Sequence, residues 1–514
     1  MKLSAPVSLV GLQLHRDSAT PLHRQLYDGL RQAILAGQLV SGARLPSTRS
    51  LADILEISRN TVLLAYDQLL IEGYVHGKVG AGTYVTNCFP DGFLRPHLSL
   101  PPGGPGRAPS RRGRILRRLG QRRTTASNDT PLRPFRTGVP ALDVFPWKLW
   151  GRLLARRWRS LSPSLVGGKH PLGYRPLREL VAAYLRDARG LFCTSDQVIL
   201  VGGSQQGLDL AARVLLEPGA AVWVENPGYP GAHGLFRAAG ARLIPVSVDA
   251  EGLDVTAAIT RCAHARLAFV TPSHQFPLGA TMGVARRLLL LQWAGEHNAW
   301  ILEDDYNSEY RYRGQPLPAL QGLDRKGRVI YLGTFSKVLF PGLRLGYLVV
   351  PSDLIDAFSR ASFLTGYYPP IPNQAVLADF IAEGHFGRHI RRTRSLYEER
   401  QGRLVEAAKR WLTDLLEVDA AEAGMHLVGR LVGPASDAEA AQRCASQGID
   451  VTPLSVCCVE KVRKRALLLG YAAFDERAIV DGVQRMAVAL RPDDGKPSRR
   501  TTAASPDAGQ PTIG

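Results

Sequence analysis

The stretch GTFSKVLFPGLRLGY, residues 333–347, holds one lysine among small and apolar neighbours. An ordinary surface lysine lays its stem on apolar surface and keeps its charge in water. Lys337 has different company. Thr334 and Ser336 stand just before it, Arg344 lies seven residues on, and glycines punctuate the segment. Hydroxyls and a guanidinium this close to an amine can hold a phosphate beside a nucleophile.

Upstream, the runs QVILVGG, AAVWVENP, RLAFVTP, AWILEDDY and RVIYLGTFS read as buried strands, with helical patterns such as PLRELVAAYLRDA between them. That alternation predicts an α/β fold with a mainly parallel sheet covered on both faces. VGGSQQGLDLAARVLL follows a strand and opens a helix, so Gly203, Ser204 and Gln205 can present N–H groups to a phosphate. ENPGYPG sets Tyr229 after the next strand, where it can stack on a ring. ILEDDYNSEYRY ends a strand with Asp304, Asp305 and Tyr306, at the end of a parallel sheet where ligands bind. Adjacent acids on a strand point to opposite faces, so one reaches a ligand and the other faces away. Lysine chemistry with pyridoxal phosphate makes these same demands: an amine, a carboxylate for the pyridine nitrogen, a phosphate cup and a flat partner for the ring.

The first ninety residues read differently. PLHRQLYDGLRQAILAGQ puts Leu22, Leu26, Leu30 and Ile34 on one helical stripe, with Gly37 as a stop. Pro46 and Ser47 start a helix expected to carry Leu51, Ile54 and Leu55 inward. Ser58 caps a third helix, with Val62, Ala65, Tyr66 and Leu69 toward the core and Arg59, Asn60 and Thr61 exposed in its first turn. YVHGKVGAGTYV reads as a two-stranded wing. Two helices, a tight turn and a wing make a winged helix-turn-helix, which sets its second motif helix into the major groove of double-stranded DNA.

Bulk composition agrees. The 514 residues suffice for a small and a large domain. The formal net charge of +19 favours an anionic partner, nucleic acid first. No run of 18 apolar residues predicts a membrane span, and the N-terminus lacks a signal-peptide h-region and cleavage site. Six scattered cysteines, none in a CxxC pair, fit a reduced cytoplasmic protein without a metal site. Pro, Gly, Ser and Arg dominate residues 93–130, read as a basic linker whose arginines contact phosphates nonspecifically. The expected division is a DNA-binding domain over 1–92, that linker, a large domain over 131–490 and a disordered tail over 491–514.

LPSTRSLADIL, SRNTV, AYDQL, EGY and GAGTYV, in that order over about residues 20–86, resemble the GntR family of bacterial DNA-binding domains. The resemblance implies that Arg49 contacts phosphate or base, that Arg59, Asn60 and Thr61 are recognition-helix contacts, and that Gly80 is the wing tip near the minor groove. Residues 131–490 resemble the fold-type-I aminotransferases, and TPSHQFPLGATM and EDDYNSEYRY liken the whole chain to the MocR/GabR regulators. This resemblance implies pyridoxal phosphate as cofactor, Lys337 as the Schiff-base lysine, Asp304 as pyridine partner, Tyr306 on the phenolic oxygen and Tyr229 stacked on the ring. Ser204, Gln205, Thr334, Ser336 and Arg344 would hold the phosphate. It also implies a homodimer in which the small domain of one chain packs on the large domain of the other. His274 and Gln275 fall near the pocket with no assigned role.

Two departures bear on catalysis. Where aminotransferases grip a substrate carboxylate with an arginine, ALLLGYAAF has leucine near Leu468, with Arg463 and Arg465 just before it. The tyrosine expected before the Pro-Leu-Gly segment is replaced in LVGGKHPLGYRPLRE, where Tyr174 comes later. The expected function is therefore a transcription regulator sensing the cofactor, alone or with an amine or amino acid effector. An active aminotransferase with an appended DNA-binding domain is the alternative.

Overall fold

The computed structural model describes residues 14–78, 82–86, 109–120, 131–160, 162–163, 167, 170–315, 317–366 and 368–491. The chain forms two compact units, Met1–Ala108 and Pro109–Gly514.

In the first unit, helices Leu22–Leu35, Thr48–Leu55 and Arg59–Ile71 precede β1 (Val75–Lys78) and β2 (Gly82–Val85), which pair antiparallel. The Ser47 and Ser58 hydroxyls cap the second and third helices by accepting from Ser50 N and Thr61 N, each at 3.1 Å. Leu26, Leu30, Ile34, Leu51, Val62, Ala65, Tyr66 and Leu69 form the core. Ile54 is a correction: it is 62% exposed. At about 100° per residue, Leu51, Ala52 and Leu55 already define the inward stripe, and Ile54 falls outside it.

The second unit is built on an eight-stranded sheet. Its strands are β3 (Val198–Val201), β4 (Ala221–Asn226), β5 (Arg242–Asp249), β6 (Gly252–Leu253), β7 (Leu267–Val270), β8 (Trp300–Asp305), β9 (Val329–Thr334) and β10 (Gly346–Val349). Their order is β3-β10-β9-β8-β7-β4-β5-β6. The β9-β8-β7-β4-β5 stretch is parallel, whereas β10 runs antiparallel to both β3 and β9. The central strands are buried along their length, which explains their continuous apolar runs. A second sheet, antiparallel and ordered β11-β12-β14-β13, comprises β11 (Leu416–Val418), β12 (His426–Leu431), β13 (Thr452–Pro453) and β14 (Ala466–Gly470). Helices His385–Trp411, Asp437–Ser446 and Glu476–Leu490 share its core.

The stretch read as a coreless linker contains a helix, Arg111–Gly120. Arg112 Nε donates to the Ala238 carbonyl at 2.7 Å, at the C-terminal end of helix Pro230–Ala238. Arginine and leucine are good helix formers, and a helix C-terminus offers carbonyls without intrahelical donors, so the segment folds once docked. The tail beyond Arg491 lies outside the described residues.

Candidate cofactor and DNA-binding sites

Four loops at the carboxyl ends of the strands converge. Gly203, with φ +97°, caps helix Ser204–Leu215, whose Ser204 and Gln205 N–H groups precede the first intrahelical bonds, those of Gln206 N and Gly207 N to the Gly203 carbonyl. Gly346 pairs with Val201 on one side and Thr334 on the other, so β10 brings the Gly203 turn beside the end of β9. A Cβ on Gly346 would sit 2.8 Å from the Gly333 carbonyl and 3.2 Å from Gly203 Cα, so only glycine permits this approach. Thr334 Oγ1 accepts from Ser336 N at 3.2 Å. Arg344 takes a left-handed φ of 51°; its side chain is exposed while its carbonyl lies near Gly202.

Lys337 Nζ donates to the Gly138 carbonyl at 2.8 Å. Gly138 has φ +78°, and a Cβ there would fall 2.6 Å from Nζ. Asp304, next to last in β8, has Oδ1 buried and without a hydrogen-bond partner among the described residues. Burial, then the charges of Asp305 and Glu225, push its pKa up to about 8 against the pull of Lys337. Asp305 faces the opposite way: Arg189 Nε donates to it at 2.9 Å and the Tyr331 hydroxyl at 2.6 Å. The Tyr306 hydroxyl is likewise buried, with no well-formed hydrogen bond among the described residues and the Asn307 side chain close by. Gln205 Nε2 donates to the Tyr229 hydroxyl at 3.0 Å, and the Tyr229 ring meets Phe276 edge-on at 5.8 Å.

Sequence reasoning missed several neighbours. Glu225 is fully buried, accepts from Thr271 N, Thr271 Oγ1 and Gln275 Nε2, and is pushed up to about 7 by burial. Gln275 is thereby a brace for that loop. His274, 6.2 Å from the Tyr306 ring, has neither ring nitrogen partnered, and burial brings its pKa down to about 3. His426 on β12 donates from Nε2 to the Pro277 carbonyl at 2.9 Å and feels the Lys337 charge. Nothing local in the sequence marks Glu225, Gly138 or His426 as partners of residues 46, 199 and 149 positions away.

Leu468 is buried on β14, packed in a cluster with Leu454, Cys457 and Phe276. Arg465 points elsewhere, donating to the Ala435 carbonyl at 3.3 Å. In the first unit, Arg49, Arg59 and Asn60 are exposed and Thr61 half-buried. Arg59 Nε reaches Thr48 Oγ1 at 3.4 Å, which ties the third helix to the start of the second. Gly80 lies outside the described residues. Among those described, no cluster of His, Cys, Asp or Glu could hold a metal, the five cysteines are free thiols, and no helix is long and apolar enough to cross a membrane.

Comparison with known proteins accounts for both units. The profile of the bacterial regulatory proteins, gntR family, matches residues 22–85, and that of aminotransferase class I and II matches residues 163–483. The chain is 43% identical to the probable rhizopine catabolism regulatory protein MocR of Rhizobium meliloti, over 96% of this chain and 99% of that one. The chain belongs to the MocR family of transcription regulators. Another member-like relative is the pyridoxine biosynthesis regulator PdxR of Corynebacterium glutamicum, 32% identical over 91% of this chain and 95% of that one. Among solved structures, the kynurenine aminotransferase of Pyrococcus horikoshii, crystallised with PMP, aligns at TM-score 0.65 and 27% identity, over 74% of this chain and 94% of that one. LysN of Thermus thermophilus, complexed with N-(5'-phosphopyridoxyl)-L-leucine, gives TM-score 0.65 and 29% identity over 73% and 94%. This MocR-family chain therefore joins a gntR-type DNA-binding unit to a fold-type-I aminotransferase unit.

Proposed function

We propose that this regulator binds operator DNA through its first unit and uses its second to hold pyridoxal phosphate on Lys337, where an amine or amino acid effector is sensed. The observation that carries the reading is a pair of buried atoms that form no good hydrogen bond, Asp304 Oδ1, which feels the Lys337 charge, and Tyr306 OH, which feels Asp304. Burying polar atoms without partners is costly, and a pyridine nitrogen and a phenolic oxygen are the partners those two groups suit. When bound, the cofactor supplies an aldehyde that captures amines and a ring that withdraws electrons.

The chain's own residues do the rest. Asp304 holds a proton at the ring nitrogen. Tyr306 donates to the phenolic oxygen, and Tyr229, steadied by Gln205, covers the ring. The free N–H groups of Ser204 and Gln205, the Thr334 and Ser336 hydroxyls and Arg344 receive the phosphate, at a helix N-terminus suited to anions. In the first unit, Arg49, Arg59, Asn60 and Thr61 face the DNA, with Gly80 at the wing tip. An effector that displaces Lys337 from its bond shifts the protein between two arrangements only by its different affinity for them. A cytoplasmic homodimer, with each DNA-binding unit packed on the partner's large unit, completes the proposal.

Leu468 supports sensing over turnover. In its apolar cluster it offers no donor to a carboxylate, and an unpaired carboxylate there is costly to desolvate. The test is the visible absorbance of purified protein given pyridoxal phosphate, followed by titration with amines while DNA affinity is read by fluorescence anisotropy. A lysine-linked band that amines perturb together with DNA affinity supports the reading. A protein with no such band overturns it.

A further inference from the structure

The segment that ends β8 has a second side. Behind Tyr306, residues Ser308, Glu309 and Arg311 line a cleft of about 480 Å³ closed by Tyr184 and by the first half of helix His385–Trp411. Its volume is in the range of small-molecule sites. Arg391 and Arg394, three residues apart on that helix, share the face toward the cleft. Among the described residues the Arg391 guanidinium has no hydrogen-bond partner, and Arg394 uses only Nε, donating to the Glu309 carbonyl at 2.8 Å. Arg311 projects in from the floor, held by Thr281 Oγ1 at 2.9 Å and Glu422 at 3.3 Å.

The acids nearby do not neutralise this group. Glu309 accepts from the Tyr184 hydroxyl at 2.9 Å, and its burial raises its pKa. Glu422 already pairs with Arg311. At the inner end, where Ser308 and Arg311 also border a small polar cavity beside His274, Ser308 Oγ is buried without a hydrogen-bond partner among the described residues. The Arg391 guanidinium and the remaining guanidinium nitrogens of Arg394, with the Ser308 hydroxyl at the base, are a donor set for an anion.

We propose that this cleft is a second ligand site, separate from the cofactor pocket, for a small polyanion, a di- or tricarboxylate or a phosphate ester. Arg391 and Arg394 clamp its charges and Ser308 receives its inner end. Ser308 and Asn307 follow Tyr306 directly, so a ligand there bears on the cofactor tyrosine through two peptide units.

The test uses the full-length protein whose cofactor has been fixed to Lys337 by borohydride reduction, so that the cofactor pocket is filled. Citrate and inorganic phosphate are titrated separately by calorimetry; saturation by citrate alone assigns a polycarboxylate, and by phosphate alone a phosphate ester. Saturable binding is expected, weakened roughly tenfold or more by Arg391→Ala with Arg394→Ala, each substitution removing a charge-assisted bond. Arg430→Ala, at a surface ion pair with Glu417 and Asp419, is expected to leave binding unchanged. Absence of saturation by either anion, or equal affinity in the double variant, overturns the proposal.

Discussion

The ammonium of Lys337 lies 2.8 Å from the carbonyl oxygen of Gly138, a residue 199 positions earlier in the chain. That bond holds the amine in place beside Asp304. Lys337→Ala is expected to remove the visible band of the lysine-linked cofactor and leave the fold intact, since Lys337 is only half-buried and belongs to none of the apolar core clusters. Borohydride reduction followed by peptide mapping checks it: a cofactor still covalently attached in the variant would mean that another lysine does the work.

The two acids of EDDY should behave differently. Asp305→Asn removes the anion facing buried Arg189 and should cost about 3–5 kcal/mol of stability, the usual effect of breaking a buried pair. Asp304→Asn should leave the thermal midpoint of cofactor-free protein unchanged or raise it, and weaken cofactor binding. Thermal melts with and without pyridoxal phosphate separate the two, and a reversed pattern would show that the roles are exchanged.

Asp304 also sets a pH dependence. Its folded pKa of about 8 lies above its ordinary 3.8, so between these values the folded cofactor-free protein holds a proton that the unfolded chain has released. Stability from this group is present below the ordinary value and lost as pH rises toward the folded one, with a slope near 1.4 kcal/mol per pH unit at most. Glu225 and Glu303, each raised to about 7, act in the same direction, and His274, lowered to about 3, acts oppositely. The informative quantity is therefore the difference between wild type and Asp304→Asn in denaturant melts across pH 4–8, where the variant should show the shallower fall. Identical profiles would rule out Asp304 as the source.

Arg59→Ala should weaken binding to operator DNA by about 1–3 kcal/mol if the arginine reads a base. Arg117, exposed on helix Arg111–Gly120, should act through phosphates. Its removal should lower affinity for any sequence and flatten the salt dependence. Anisotropy with operator and random duplexes at several salt concentrations distinguishes them; equal losses on both duplexes for Arg59→Ala would reduce it to a phosphate contact.

Purified protein should turn over amino donors and 2-oxoglutarate slowly or not at all, because buried Leu468 offers no donor to a substrate carboxylate. Turnover at rates of several per second, ordinary for enzymes, would favour the aminotransferase alternative.

Much of this site was legible because its residues are marked locally. Lys337 follows an apolar strand, the acids end another, and Gly203 sits between a strand and a helix. The strand periodicity even required Asp304 and Asp305 to part company. What the sequence hid depends on distant pairing. Arg189 meets Asp305 across 116 positions, and β10 slips antiparallel between β3 and β9, a placement no local pattern encodes. The helix at Arg111–Gly120 was masked by composition: its Arg-rich run looks like a solvated tether, and its dock, helix Pro230–Ala238 with the Ala238 carbonyl, lies more than a hundred residues away. Ile54 was misplaced because a single extra apolar residue widened the apparent stripe.

The position of β10 also imposes a schedule. β3 lies at the sheet edge with β10 as its one neighbour there, and Val201 pairs with Gly346, 346 − 201 = 145 residues later. At ribosomal rates of about 5–20 residues per second, β3 waits roughly 7–30 s for its partner strand to be synthesised. The gntR-type unit, whose core closes within residues 26–85, needs no such wait. A newly made chain thus acquires its DNA-reading fold well before it can take up the cofactor, and an unpaired edge at β3 is exposed to wrong partners in the interval.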